Sequence, residues 1–157
     1  MSTSLRPQLS MKVEEKKKAI IFDIDSTLSN PSHRSHLAEE GKWDEFYDAM
    51  DKDPKIEQIN LIDTFYIMVF IVTGRPEKYR TKTIRWLDKN FPSFCRDGLY
   101  MRPDGNYIQD TEFKVSKIKE IEAAGYEIFA IFEDRKRNVD AFRKEGWFVF
   151  DVAGNTF

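Results

Sequence analysis

The sequence predicts an α/β fold with a mainly parallel five-stranded sheet, on three observations. Short apolar runs without polar alternation recur along the chain, the pattern of strands buried on both faces. Segments of helical period separate them. The length, 157 residues with 41% apolar and 14% aromatic side chains, fits one domain with a full core. Twenty-five Lys and Arg against 27 Asp and Glu leave a formal net charge of −2. That balance argues against a general coat for nucleic acid and leaves a local basic patch open. A lone cysteine, Cys95, excludes an internal disulfide and a Cys-type zinc site and suits a reducing cytoplasm; Cys95 reads as a small apolar filler. No apolar run approaches the roughly 20 residues that span a bilayer, and the N-terminus has no signal-peptide segment.

Residues 1–18, polar and ending in three lysines, read as a flexible lead-in to a single domain over 19–157. AIIFDI at 19–24 is the first strand, and the polar stretch 28–55, with Pro31, Gly41 and Pro54, holds short helices in place of a strand. A helix near 56–65 leads to a second strand, YIMVFIV at 66–72, halted by Thr73-Gly74-Arg75-Pro76. Pro76 fits the first turn of a helix running to Asn90, with Ile84 and Leu87 facing inward. GLYMR at 98–102 is a weaker strand. From Thr111 to Ala124, Phe113, Val115, Ile118 and Ile121 fall near one stripe and Gly125 closes the helix. YEIFAIF at 126–132, a helix over 138–145 and GWFVFDV at 146–152 complete the alternation.

In open α/β sheets ligands bind beyond the carboxyl ends of the strands. The first strand delivers Asp23 and Asp25 with Ser26-Thr27, the second Thr73-Gly74-Arg75, and the fourth Glu133-Asp134-Arg135. Lys114 lies on the helix before that fourth strand. Singly, such an Asp is most simply a turn former and such a lysine a solvated charge. Together, after three buried strands, they make a catalytic edge. Alternation points residues 23 and 25 the same way, toward one substrate.

Asp-x-Asp-x-Thr after a buried strand, then a threonine, a later lysine and an acidic pair, resembles the four motifs of the haloacid dehalogenase-like (HAD) phosphohydrolases over about 19–157. The resemblance implies a Rossmann-like three-layer sandwich, Asp23 as nucleophile and Asp25 as general acid and base. It makes Thr73 and Lys114 phosphate ligands, with Thr27 and Gly74 beside them. Mg²⁺ is the implied cofactor, held by Asp23, the Asp25 backbone carbonyl, Asp134 and Glu133. The chemistry is coherent, because a dianionic phosphate ester repels a carboxylate nucleophile unless a hard cation and a lysine neutralise it. Asp25 must be protonated to help the leaving group, which predicts an optimum on the mildly acidic to neutral side. Ser26 stands where glycine usually follows the second aspartate, so a positive φ there would strain it.

Forty-five residues separate Thr27 from Thr73, and the helix and strand expected there leave only 28–55 as a short substrate-facing insert. No large cap fits, and an open site suits extended phosphorylated ends. His33-Arg34 through Trp43-Asp44-Glu45-Phe46-Tyr47, with TGRPEKYR, LYMRPDG, FKVSKI, EDRKRNV and DVAGNTF, is similar to the 3′-phosphatase domain of phage-type polynucleotide kinases and its stand-alone relatives. This implies a phosphorylated nucleic-acid end or nucleotide as partner. Arg75, Arg102 and Arg135, beside strand ends or their loops, and Arg34 in the insert read as its contacts. Trp43, Phe46 and Tyr47 at helical spacing read first as packing residues and second as a base-stacking platform. A nucleotidase acting on free nucleoside monophosphates would use the same residues, and a silent phosphate-end binding module is the reading from another class.

Overall fold

The computed structural model describes residues 15–62, 64, 67–94, 98–105 and 108–154. Most of the expected lead-in, Tyr66 of the second strand, the Cys95 position and the end of DVAGNTF lie outside the described residues. Five parallel strands run in the order β3-β2-β1-β4-β5. They are β1 (Lys17–Phe22), β2 (Met68–Pro76), β3 (Leu99–Arg102), β4 (Tyr126–Glu133) and β5 (Val149–Asp151). The helices are α1 (Ser35–Glu39), α2 (Trp43–Asp48), α3 (Arg80–Asn90), α4 (Asp110–Ala123) and α5 (Lys136–Lys144).

Residues alternating along the strands feed two cores, one on each face. Ile20, Phe22, Val69 and Ile71 pack with Trp86 and Leu87 of α3. Ala19, Ile21, Phe70 and Val72 pack with Phe113, Ile118 and Ile121 of α4 and Phe142 of α5. This is the three-layer α/β arrangement, and the insert over 28–55 consists of α1, α2 and short 3-10 turns. No large cap stands among the described residues.

Several boundaries differ from expectation for local reasons. β1 starts two residues early, because Lys17 and Lys18 already pair with Tyr126 and Glu127. It ends at Phe22, so Asp23 to Asp25 lie in the loop and strand alternation does not orient them. β2 continues through Thr73-Gly74-Arg75 to Pro76, where a register shift opposite β3 lets Pro76 face Arg102. Pro76 has ψ 146, extended, so α3 starts only at Arg80 after a 3-10 turn at Glu77–Tyr79. The expected helix near 56–65 shrinks to a 3-10 turn, Glu57–Leu61. β5 keeps only Val149–Asp151 of the expected seven residues.

Order β3-β2-β1-β4 places the switch in chain direction beside β1. The carboxyl ends of β1, β2 and β4 therefore open on one crevice, where such sheets bind ligands.

Candidate active site

At that crevice lies a cleft of about 530 Å³ whose walls include Asp23, Asp25, Thr73, Arg75 and Lys114. Phe22, stacked at 5.2 Å on Phe94 and at 4.7 Å on Phe132, anchors the strand end from which Asp23 emerges. The Asp23 backbone N–H donates to Phe132 O at 3.1 Å. Next comes a tight turn: the N–H groups of Thr27, Leu28 and Ser29 all point at Ile24 O. Ser26 carries it with φ 66, the only positive φ on a non-glycine among the described residues. The strain that the sequence allowed for is therefore present, and such a conformation costs about 1–2 kcal/mol.

The two aspartates meet opposite surroundings. Asp23 is buried with Lys114, whose ammonium lies 3.0 Å from Asp23 Oδ1 and 3.8 Å from Asp110 Oδ2. The same ammonium donates to Glu133 Oε2 at 2.7 Å. Burial pushes the Asp23 carboxyl well up; Lys114 opposes this, and Glu133, Asp134 and Asp25 add to it. Lys114 itself is held above its usual range, because Asp23, Glu133 and Asp110 outweigh its burial. Glu133 Oε1 accepts the N–H groups of Asp134 and Arg135 at 3.1 and 3.0 Å, which fixes it at the end of β4. Burial and neighbouring Glu133 push Asp134 up to about 7.

Asp23, Glu133 and Asp134 each offer an oxygen within 4.8 Å of one another. Hard oxygen donors, buried and mutually repelling with a single ammonium among them, fit a divalent cation such as Mg²⁺. Three of the four expected metal residues thus come together by their side chains. The Asp25 carboxylate does not join them.

Asp25 faces two arginines instead. Arg75 is bidentate to it, Nε to Oδ2 at 2.9 Å and Nη2 to Oδ1 at 2.7 Å, and Arg34 Nη2 donates to Oδ1 at 2.5 Å. Burial alone would raise the Asp25 pKa, but Arg75 and then Arg34 overcome it and hold the carboxyl well below the usual range. In this arrangement Asp25 is ionised, a base, where the expected mildly acidic optimum required it protonated.

The same geometry places two of the expected substrate arginines. Arg34 is wholly buried; it donates to Asp53 Oδ1 at 2.7 Å, Asp53 Oδ2 at 2.5 Å and Phe46 O at 3.1 Å. It stands behind Asp25 and is absent from the cleft wall. His33, which precedes it, pairs with Asp53 at 2.9 Å. Arg75 does line the cleft, with its Nε and Nη2 committed to Asp25. The turn carries Thr27, expected beside the phosphate, inward, buried and off the wall. Arg102 and Arg135 line the cleft as expected, joined by Arg137. Thr73 lies on the wall and its Oγ1 accepts the Arg75 N–H at 3.2 Å.

Sequence reasoning missed Asp110, Asn138 and Asp53. Asp110 opens α4 one turn before Lys114, buried, and Asn138 Nδ2 donates to its Oδ2 at 3.1 Å. A Cβ at Gly74 would overlap its carboxylate, so Gly74 contributes space next to Asp110. The available signal was the i, i+4 spacing of Asp110 and Lys114.

The family model for the polynucleotide kinase PNKP phosphatase domain matches residues 17–157. The chain belongs to this family. It is a HAD-type phosphatase, a hydrolase acting on phosphorylated substrates. Among solved structures, this PNKP-type phosphatase domain is similar to a chain in the Pnkp1/Rnl/Hen1 RNA repair complex. Identity is 25%, the TM-score is 0.72, and the match covers 87% of this chain and 42% of that one. A second structure of the Pnkp1/Rnl/Hen1 complex matches at 27% identity and TM-score 0.71, over 87% and 45%. The chain thus spans less than half of these relatives. The class C acid phosphatase from Bacillus anthracis, with 16% identity, TM-score 0.59 and coverage of 90% and 69%, shares the fold. No curated protein matches the sequence. No described helix is long and apolar enough to cross a membrane.

Proposed function

We propose that this PNKP-type domain is a Mg²⁺-dependent phosphomonoesterase that removes 3′-phosphate from nucleic-acid ends in the cytoplasm. The observation that carries the reading is the Asp23 carboxylate beside Lys114 in a cleft that also holds Asp25. Asp23 attacks phosphorus, the P–O bond to the sugar breaks, and the departing oxygen takes a proton from Asp25. Water then attacks the aspartyl-phosphate, Asp25 accepts its proton, and inorganic phosphate leaves with Asp23 restored. Arg75 and Arg34 favour the ionised form of Asp25 that this second step needs, and the first step loads its proton from solvent. Asp23, Glu133 and Asp134 would hold the Mg²⁺, which supplies charge neutralisation for the dianionic ester. Lys114 and Thr73 supply donors for phosphoryl oxygens.

Support for a polynucleotide comes from the family and from Arg102, Arg135 and Arg137 around an uncapped cleft. The cleft volume favours a second reading, a nucleotidase, because about 300–1,000 Å³ is the size of sites that enclose whole small molecules. Phosphate release from a 3′-phosphorylated oligonucleotide and from 3′- and 5′-mononucleotides, with and without Mg²⁺, tests both. The oligonucleotide is expected to turn over fastest and only with metal. Rapid mononucleotide turnover beside an inert oligonucleotide would overturn the first reading.

A further inference from the structure

We propose that Trp43 stacks on the nucleobase of the phosphorylated terminal residue. This deepens the 3′-phosphatase reading and rests on it. Trp43 is the first residue of α2 and is 52% exposed, whereas Trp86 and Trp147 are buried. It lines the cleft that holds Asp23 and Asp25. Of the helical trio that reads from sequence as packing, the structure buries Phe46 and leaves Trp43 outside.

The exposed indole is held from beneath. Phe46 meets it edge-on at 5.8 Å and 81°, Tyr47 lies at 6.4 Å and 30°, and Tyr47 rests on Tyr79 at 5.1 Å. A ring supported in this way loses little freedom when a ligand lands on it. The support also reaches the chemistry. The Arg34 guanidinium sits 3.9 Å from the Phe46 ring centre, and the same Arg34 donates to Asp25. The insert that carries the platform is therefore packed against the acid–base residue. Among the described residues, Ile108, 49% exposed, is the other half-exposed large apolar side chain on the cleft wall.

An aromatic face beside guanidinium groups is the combination by which proteins hold single strands. Every base offers a π-face, so recognition of this kind tolerates any sequence. A paired base at a duplex end keeps only its outer face open, whereas an unpaired base can present either face to the ring. Arg102, Arg135 and Arg137 are placed for the phosphodiesters that follow.

The test is a cycle on kcat/KM. With a single-stranded 3′-phosphorylated oligonucleotide, Trp43→Ala is expected to lose about 5- to 150-fold, and Trp43→Phe to recover most of that. With an abasic terminal residue, the native protein is expected to lose the same factor and Trp43→Ala to lose nothing more. Losses that simply multiply, or an unaffected Trp43→Ala, would overturn the proposal. If the native protein releases no phosphate from any oligonucleotide, the 3′-phosphatase reading fails and the platform is read by binding. Titrating Asp23→Asn with the same oligonucleotide should quench tryptophan fluorescence, and Asp23→Asn with Trp43→Phe should show no quench. No quench in the single variant overturns the platform.

Discussion

Asp23 and Asp25 are two residues apart and line one cleft, yet their neighbourhoods are electrostatic opposites. Asp23 shares one lysine with Glu133 and Asp110 and has Asp134 beside it. Asp25 receives two arginines, with Asp53 and the Phe46 carbonyl taking the rest of Arg34. The Asp23 side is short of positive charge, and the Asp25 side carries its own. Under the proposed mechanism the difference divides the labour: Asp23, as nucleophile, would take a cation from solution, while Asp25, as acid–base residue, is oriented by the protein alone.

The largest effects should fall on rate. Asp23→Asn is expected to abolish phosphate release, and Asp25→Asn to lower kcat by about 10²–10⁴-fold. Equal residual activity in both would erase the distinction. Next comes stability on the arginine side, where Arg75→Gln leaves part of Asp25 unpaired. Denaturant unfolding should show a loss of about 3–5 kcal/mol. On the acidic side, Mg²⁺ at 100 times its Kd should stabilise the native protein by about 2.7 kcal/mol, a Tm rise of roughly 5–10 °C. Asp25→Asn should keep that increment, and Asp134→Asn should lose it.

Asp110 supplies the pH test. Burial would raise its pKa, but Lys114, Asn138 and Arg135 lower it from the ordinary 3.8. A carboxyl depressed in the folded state adds stability above its unfolded value, and this is lost as pH falls through the folded one. Asp110→Asn should therefore cost about 1–3 kcal/mol at pH 7. The gap from the native protein should narrow below about pH 4, as thermal melts across pH would record. Smallest is the turn between the two regions: Ser26→Gly should raise stability by up to about 1 kcal/mol, relief of the left-handed backbone less the extra freedom of glycine when unfolded.

The α/β fold was legible because β1, β2 and β4 are buried on both faces and write themselves as apolar runs. Asp23, Lys114, Glu133 and Asp134 were legible because each ends or precedes such a strand. Arg34 and Arg75 were seen as cations near the site but not as partners of Asp25. Arg34 reaches Asp25 and Asp53 only through the folding of the insert, and residues 25 and 53 have no local period relating them. Asp110 was overlooked because its contacts with Gly74 and Asn138 join β2, α4 and α5, elements distant in sequence.

Gly74 offers no side chain to any ligand, yet the atoms it lacks are what admit the Asp110 carboxylate. This couples the two positions: a side chain at 74 would force the Asp110 carboxylate to turn out of its place beside Lys114 and Asn138, and would meet no such obstacle once Asp110 had gone. A substitution at either one is therefore read against the state of the other.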